Sequence, residues 1–524
     1  MSRWAVNSHL QFESRRESPV PITSSPPSEV AQPSGSRSRS GLADVFSFPV
    51  MCMFLLIAAI FYFCVRAIAE PDIWWHLRNA SYAFEHHSFP VVDTYSFGAA
   101  GSPWLDHEWL SEIPLYLGYK AMGLRGMLAV YFAVVSLIFC GVYYRACRAG
   151  AECKDAALVT LLAIFLAIVS IGPRPLLFGW LCMVGLLLIT DRFQRSGKGL
   201  WMLPPLFALW INLHGSWVFG MIVLVIVIAS GFVEGEWGLV VARRWTLGEL
   251  RQLLAALAVS IAALFVNPFG YKLVLYPFDL LFRQPANMRY VQEWHALDFS
   301  NGAGKLVLLL IFGWLIVGLA SRRRWKLDDV MLLAFALWAG LMHVRLLFFT
   351  GLIAAPIIAP RLQLLPPYQR EEDKPWLNAI IMAGVIGWLI FSFPSNAKLQ
   401  QQVDSRYPTA ALEFMQSQHV NGRIFNTDAW GGYMEWAAPD LKPFTDSRTD
   451  IFVYNGTFDD YVKTMLIQSP LEVLDKYKFD YVLIEPGHPL EYLLKHSPAW
   501  HPKYSDNVAV LFERAHAQPV HTVN

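Results

Sequence analysis

The segment that follows the first long apolar run is the richest in side chains that could do chemistry. It opens with EPDIWWHLRNA at residues 70–80 and continues to WLDHEWL at residues 104–110. Its acidic and histidine candidates are Glu70, Asp72, His76, Asp106, His107 and Glu108. Carboxylates at a membrane surface are costly unless they are solvated, paired or bound to a cation, and they can take a proton from a hydroxyl as general bases. These residues predict either a catalytic loop or an acidic, solvated loop with aromatic anchors.

A divalent cation is compatible with this loop but is not required by it. Asp and Glu oxygens are ligands that Mg²⁺ and Mn²⁺ prefer. The candidate metal ligands are Asp72, Asp106, His107 and Glu108. His76 and His107 could instead bind a phosphate.

Basic residues at the ends of later apolar runs predict an anion site. Arg174 stands between two prolines in the motif GPRP, and His343 and Arg345 stand in the motif HVR between two apolar runs. An arginine guanidinium binds phosphate through two parallel hydrogen bonds, although arginines at helix ends also extend to the membrane interface. Lys272 and Arg289, in one long loop, are further candidates for phosphate binding.

Three short motifs predict local departures from regular helix. Asn212 and His214 lie in NLHG, which predicts a tight turn or a broken helix that lines a cavity. The pair Gly431-Gly432 permits a tight turn or the close approach of a ligand. Asp446-Ser447-Arg448 (446–448) resembles a buried ion-pair corner.

Eleven apolar runs must position these residues, and they predict a polytopic α-helical membrane protein. The runs lie near 48–68, 126–145, 156–172, 176–191, 200–214, 216–233, 249–266, 304–320, 329–345, 346–360 and 377–394. The segment 109–122 carries Glu112 and Lys120, so it predicts an interfacial helix rather than a span. With the N-terminus in the cytoplasm, the basic clusters of alternate loops also fall in the cytoplasm. The candidate site residues then share the outer face.

The positions of the eleven apolar runs divide the chain into three parts. Residues 1–47 are polar and predict a disordered cytoplasmic tail. Residues 48–394 form the transmembrane domain, with 69–125 as its first outer loop. Residues 395–524 alternate helix-like and strand-like stretches and predict an extracytoplasmic α/β domain.

Composition excludes several classes of protein. Hydrophobic residues make up 55% of the 524 residues, charged residues 16%, and mean hydropathy is +0.36, which excludes a soluble multidomain enzyme. A net charge of +1 gives no support for a nucleic-acid binder. The six cysteines show neither zinc spacing nor a CxxC pair, and a disulfide framework is not expected.

The chain resembles GT-C-type integral membrane glycosyltransferases, namely protein O-mannosyltransferase-like enzymes and catalytic subunits of oligosaccharyltransferases. The resemblance lies in the polytopic body, the acidic motif that opens the first outer loop, and the C-terminal domain. Glu70-Pro71-Asp72 matches the acidic pattern of that group, which implies that Asp72 is the base or orients the acceptor. Residues 430–433, WGGY, loosely resemble the WWDYG acceptor motif of oligosaccharyltransferases but lack its Asp.

The resemblance also implies the substrates. A sugar would pass from a polyprenyl-phosphate donor to a glycan, lipid or protein acceptor on the extracytoplasmic face of a membrane, which we expect to be a bacterial inner membrane. The residues implied around the donor are Arg345, Arg174, Lys272, Arg289, Trp74 and Trp75.

Two other functions stay open on the sequence alone. A lipid or glycan transporter or flippase should carry charge near the middle of the membrane and internal repeats, and the sequence shows no clear repeat. A non-catalytic membrane assembly protein would leave Glu70, Asp72 and Arg345 without a role.

Overall fold

A computed structural model describes residues 41–65, 68, 70–168, 171–283 and 294–515. The chain divides into two compact units, one ending at Val45 and the other beginning at Phe46. Helix α1, Gly41–Val45, belongs to the first unit, and everything below concerns the second. Most of the predicted tail, and Arg289, lie outside the described residues.

Helices dominate the second unit up to residue 392. Their bounds are α2 Phe48–Cys64, α3 Asp72–His86, α4 Trp109–Met122, α5 Leu124–Arg148, α6 Cys153–Ala167, α7 Leu176–Ser196, α8 Leu203–Leu213, α9 Trp217–Ser230, α10 Leu247–Ala263, α11 Tyr271–Arg283, α12 Gly302–Ala320, α13 Leu327–Met342, α14 Leu347–Ile358 and α15 Pro375–Ser392. Short 3₁₀ turns lie at Leu200–Met202, Val344–Leu346, Ala359–Arg361 and Arg370–Glu372. A small sheet joins β1 (Gly235–Trp237), β2 (Val240–Ala242) and β3 (Trp325–Lys326).

Five helical stretches among the described residues are long and apolar enough to cross a membrane. They are Leu124–Arg148, Leu176–Ser196, Gly302–Ala320, Val344–Arg361 and Pro375–Ser392. Shorter apolar helices cover Phe48–Phe63, Leu200–Leu213 and Trp217–Ser230. The helical body with a C-terminal sheet is confirmed, while the count of eleven spans stays a prediction. Helix α4 has 14 residues, or about 21 Å, too short to cross a hydrocarbon core of about 30 Å.

Breaks between apolar runs place polar residues at helix ends. His214 is extended (φ −169°, ψ 146°), and it separates α8 from α9. His343 is also extended (φ −140°, ψ 113°), and it ends α13 before the turn that carries Arg345. NLHG therefore interrupts the helical structure between α8 and α9, as the sequence predicts.

The C-terminal region combines short helices with a four-stranded sheet. The helices are α16 Asn396–Asp404, α17 Thr409–Ser417, α18 Asp428–Ala437, α19 Thr449–Asn455, α20 Thr457–Met465, α21 Pro470–Lys476 and α22 Pro489–Lys495. The strands are β4 Ile424–Asn426, β5 Tyr481–Ile484, β6 Trp500–Ser505 and β7 Val510–Arg514, in the order β4-β5-β7-β6. Strands β4 and β5 run parallel, and the other pairs are antiparallel. The described part of this region therefore combines helices and strands, as the sequence predicts.

The first loop shares a hydrophobic core with this C-terminal region. Trp75, Tyr95 and Trp104 pack in one buried cluster with side chains such as Phe444 and Phe512. The polar side chains of the loop are therefore held between the helical body and the C-terminal sheet region.

Candidate functional site

Asp72 is the first residue of α3, where the positive end of the helix dipole favours a negative charge. Its side chain is half-buried. Burial raises the pKa of Asp72 above its usual value, and the nearby charges of Arg174 and Arg345 and the hydroxyl of Ser447 offset only part of that rise. A carboxylate with a raised pKa beside two guanidinium groups can accept a proton next to a bound anion.

Arg174 is fixed in this place by Glu70. Its Nε donates a hydrogen bond to Oε2 of the Glu70 carboxylate, which is buried. A Cβ on Gly172 would lie 3.0 Å from the same oxygen, so the glycine allows the close approach. The motifs EPD and GPRP therefore meet as an ion pair.

Arg345 is held by the segment that precedes α12. Its guanidinium lies over the ring of Trp294, 5.4 Å from the ring centroid. Nδ1 of His343 donates to the Trp294 carbonyl oxygen at 2.7 Å. The HVR motif is thereby braced, and Arg345 remains half-buried near Asp72.

Glu108 is the centre of a buried histidine cluster. Oε1 of Glu108 lies 2.9 Å from Nε2 of His214 and 3.5 Å from Nε2 of His107, and Oε2 lies 3.5 Å from Nε2 of His76. Nδ1 of His214 accepts from the backbone N–H of Ser216 at 2.8 Å, so Nε2 carries the hydrogen that Glu108 accepts. Burial alone would raise the pKa of Glu108, but His107 and His214 outweigh it and hold the pKa well below its usual range. Glu108 is therefore a stable carboxylate.

A second layer next to Glu108 is held together by hydrogen bonds. Nδ1 of His76 lies 2.8 Å from Glu112, and the Asn79 amide donates to Asp106 at 2.5 Å and to Glu112 at 2.8 Å. Burial lowers the pKa of His76 to about 3, raises that of Asp106 to about 6, and raises that of Glu112 well above its usual range. At neutral pH, His76 is therefore neutral, and the raised pKa values of Asp106 and Glu112 reflect the cost of burying several charges together.

His107 connects this cluster to α11 and to the C-terminal region. Its ring stacks on Tyr276 with the centroids 4.5 Å apart, and the Tyr276 hydroxyl donates to Asp450 at 2.9 Å. Burial would lower the pKa of His107, but the charge of Glu108 outweighs it and raises the pKa. Lys272 lies on the same helix α11 with its side chain exposed.

Asn212 braces two helix ends. It accepts from the indole N–H of Trp109 at 3.0 Å and donates to the carbonyl oxygens of Ala208 and Val266 at 2.7 and 2.8 Å. All the hydrogen-bonding groups of its amide are thus used within the protein.

Trp74 and Trp75 are packed inside the protein. Trp74 is 2% exposed, and its ring lies edge-on to Tyr407 and Tyr433, with centroids 5.4 and 4.9 Å away. Trp75 lies over the ring of His76 at 3.6 Å. The contacts of Trp74 with Tyr407 and Tyr433, and the packing of Trp75 in the cluster shared with the C-terminal region, orient α3 and therefore Asp72.

The glycine pair of the WGGY motif lets three segments pack closely. A Cβ on Gly431 would lie 2.2 Å from the carbonyl oxygen of Thr445, and one on Gly432 would lie 3.3 Å from the backbone of Pro71 and of Trp75. Helix α18 is therefore fitted between the start of α3 and the segment that leads to Ser447. The close approach that these glycines permit is therefore between backbone segments of the protein itself.

Arg448 is the buried cation of the predicted ion-pair corner. Its guanidinium lies 2.9 Å from Asp93, 2.6 Å from Asp446 and 3.0 Å from Glu435. The ring of Trp104 lies 4.7 Å from the guanidinium carbon. Burial raises the pKa of Glu435 well above its usual range, whereas Arg448 lowers the pKa of Asp446.

The structure groups the sequence candidates into two adjoining sets. One contains Asp72, Glu70, Arg174 and Arg345; the other contains His76, Asp106, His107, Glu108 and His214. Asn212, Trp74, Trp75 and His343 brace these sets. The sequence gives no role to Asn79, Tyr276 or Asp450, and it does not predict that Ser447 lies near Asp72, because their partners lie elsewhere in the chain.

In the described part of the chain, no three His, Cys, Asp or Glu side chains form a group that could hold a metal ion. Asp72, Asp106, His107 and Glu108 thus do not converge as one metal-binding set. Glu108 is instead satisfied by imidazoles.

Comparisons with known proteins identify the fold. No protein-family model matches the sequence, and neither does any curated protein. The chain is similar to the oligosaccharyltransferase of Archaeoglobus fulgidus, solved with a tethered acceptor peptide containing the NVT sequon, at TM-score 0.53 and 12% identity over 90% of this chain and 75% of that one. ArnT from Cupriavidus metallidurans, solved with undecaprenyl phosphate, has TM-score 0.49 and 13% identity over 88% and 98%. Both proteins are GT-C glycosyltransferases. The match to the oligosaccharyltransferase confirms the predicted resemblance to that group for the fold.

Proposed function

We propose that this protein transfers a sugar from a polyprenyl-phosphate donor to an acceptor on the extracytoplasmic face of a membrane. The observation that carries the proposal is the placement of Asp72 beside Arg174 and Arg345 at one end of an apolar helical body. A lipid phosphate needs positive charge where it leaves, and an acceptor needs a base where it attacks. Both groups are present within one site.

The geometry supports a defined division of roles. The bond between the sugar C1 and the phosphate oxygen breaks, and the electron pair leaves with the phosphate, whose charge Arg345 stabilises together with Arg174. The acceptor oxygen forms the new bond to C1, and its proton passes to the carboxylate of Asp72. Glu70 keeps Arg174 in place. The raised pKa of Asp72 makes it a stronger base than an exposed aspartate.

An apolar groove next to the site offers a place for the lipid chain. It has a volume of about 400 Å³ and lies between α4, α7 and α8. Its lining residues are Leu110, Pro114, Phe178, Leu181, Cys182, Leu206, Leu209 and Leu213. Leu213 directly precedes His214, so the groove begins beside the polar cluster. An isoprenyl chain is the part of the donor that matches an apolar lining.

The orientation in the membrane follows from the same proposal. We infer that residues 1–47 lie in the cytoplasm, that 48–394 form the membrane domain, and that 395–524 lie outside, in a bacterial inner membrane. The fold neighbour from Archaeoglobus fulgidus was solved with a tethered acceptor peptide; here a glycan, lipid or protein acceptor would enter from the side of the C-terminal region.

The proposal is tested by incubating purified full-length protein with a panel of polyprenyl-phosphate sugars. We expect release of polyprenyl phosphate from at least one donor, and Arg345→Ala to weaken donor affinity about tenfold or more because a charge-assisted contact to phosphate is lost. Arg322→Ala, at an exposed arginine, is the control and should bind donor normally. Adding a chelator tests whether Mg²⁺ or Mn²⁺ contributes.

Three results would contradict the proposal. The first is that no donor is bound or cleaved. The second is equal donor affinity in Arg345→Ala and wild type. The third is movement of intact lipid-linked sugar across a vesicle membrane without cleavage, which would favour a flippase.

Filling the apolar groove should separate lipid recognition from chemistry. We expect Leu209→Trp to raise the KM for a long-chain donor several-fold and to leave a short-chain, water-soluble donor unaffected, because only the long chain occupies the groove. Leu209 is 47% exposed, so the larger ring can be accommodated. Leu254→Trp, at a similarly exposed leucine outside the groove, is the matched control. Equal effects on both donors would place the lipid chain elsewhere.

A further inference from the structure

A second groove lies at the other end of α7, far from the candidate site. It has a volume of about 880 Å³ and is bounded by the end of α7, the turn Leu200–Met202, the start of α8, and α10. Helix α7 begins just after Arg174 and reaches Arg192 sixteen residues beyond Leu176, which spans on the order of 25 Å. The two ends are therefore separated by nearly the thickness of a hydrocarbon core.

The walls of this groove are mostly apolar. Helix α10 contributes Gln252, Ala255, Ala256 and Val259, which recur at helical spacing on one face. The facing wall consists of Leu200, Trp201 and Pro204. Trp201 is 77% exposed, and an indole at the rim suits the boundary between lipid and water.

The mouth of the groove is basic. Arg192 and Lys198 line it, both are exposed, and neither forms an ion pair within the described ranges. Gly199 has φ +110°, and a Cβ there would lie 3.3 Å from Cδ of Arg192. The glycine thus lets the arginine stem lie flat along the turn and keeps its guanidinium at the mouth.

We infer that this groove binds an anionic phospholipid, with the phosphate headgroup at Arg192 and Lys198 and one acyl chain along the wall formed by α10. Basic pockets between membrane helices bind such headgroups, and the adjoining apolar wall distinguishes a lipid from a free anion. The groove carries no acidic lining residue, so its charge is complementary to a phosphate. This inference does not depend on the proposed glycosyl transfer.

Native mass spectrometry of the delipidated full-length protein tests the inference. Phosphatidylglycerol and phosphatidylcholine with identical acyl chains are compared, and inorganic phosphate is offered as a competitor. We expect preferential retention of phosphatidylglycerol. The double variant Arg192→Gln with Lys198→Gln should bind it roughly tenfold more weakly, since each basic residue contributes separately. The matched control is Arg148→Gln with Arg195→Gln, which removes two exposed charges outside the groove.

A second variant tests the acyl chain without changing charge. Ala255→Trp fills the apolar wall at an exposed position and should lower phosphatidylglycerol retention while inorganic phosphate behaves as with wild type. If the double variant and its control lost equal amounts of bound phosphatidylglycerol, general surface charge would explain the effect. That result would overturn the inference. If Ala255→Trp left phosphatidylglycerol retention unchanged and inorganic phosphate displaced the lipid fully, the groove would be a site for anions only. That result would also overturn the inference.

Discussion

Asp72→Asn is expected to lower turnover by about 10²-fold or more while donor affinity stays the same or increases. A general base contributes roughly 10²–10⁴-fold to a proton transfer, and an amide of the same shape cannot accept the proton. Removing a negative charge near Arg174 and Arg345 leaves more positive charge for the donor phosphate. The measurement is single-turnover release of polyprenyl phosphate alongside equilibrium donor binding.

The control for this substitution is Asp459→Asn, at an exposed aspartate on α20. It should turn over donor at the wild-type rate. Wild-type turnover in Asp72→Asn would remove Asp72 from the mechanism, and loss of donor binding in the same variant would make it a binding residue instead.

The pH dependence of turnover gives an independent test of the same residue. Asp72 acts as a base only when it is deprotonated, and burial raises its pKa above the usual 3.8. Activity should therefore fall as pH decreases through a value above 3.8, and the residual activity of Asp72→Asn should lack that decrease. Burial raises the pKa of Asp106 to about 6, so Asp106→Asn is the necessary comparison, and it should keep the acid limb.

The charged members of the site could be predicted because they interrupt apolar sequence. Arg174 and Arg345 stand at the ends of apolar runs, where a charge is costly without a role, and the structure brings both near Asp72. Their immediate partners could not be predicted. Arg174 pairs with Glu70 from 104 residues earlier, and nothing in the local pattern of either motif specifies that pairing.

Residue type was a weaker guide to role in the tryptophan and histidine motifs. Trp74 and Trp75 belong to a type that is enriched at membrane interfaces, yet both are buried against the C-terminal region. His76 was a candidate phosphate ligand, but both of its nitrogens face carboxyl groups. Side-chain periodicity shows which residues share a face of a helix, whereas tertiary packing decides what that face meets.

The C-terminal strands could be predicted from short buried β-branched and aromatic runs, as in Tyr481–Ile484 and Val510–Arg514. The packing of this region against the first loop could not be predicted. Asp93 and Trp104 meet Arg448 across more than three hundred residues of sequence, and contacts of that range leave no periodic signal. The same packing places Ser447 near Asp72. It therefore also determines which residues make up the site.

Arg448→Met is expected to destabilise the protein by about 3–5 kcal/mol, the usual effect of removing one partner from a buried ion pair. Methionine keeps much of the apolar stem, but Asp93 and Asp446 lose their buried cation. The measurement is thermal unfolding of the full chain in detergent. Arg243→Met is the matched control because Arg243 also combines an ion pair, with Glu249, and a contact over a tryptophan ring, but it is exposed. It should cost at most about 1 kcal/mol.

The destabilisation caused by Arg448→Met should depend on pH. In the wild type, the pKa of Asp446 is lowered because Arg448 outweighs burial, so its stabilising contribution is present above the unfolded pKa and is lost as pH falls through the lower native value. Without Arg448, burial instead raises the pKa of Asp446, and the native state then holds more protons than the unfolded state. The stability of the variant should therefore decrease as pH rises, and its deficit should be largest near pH 7 and smaller near pH 4. A deficit that does not change with pH would mean that lost packing against Trp104, rather than stranded carboxylate charge, accounts for the destabilisation.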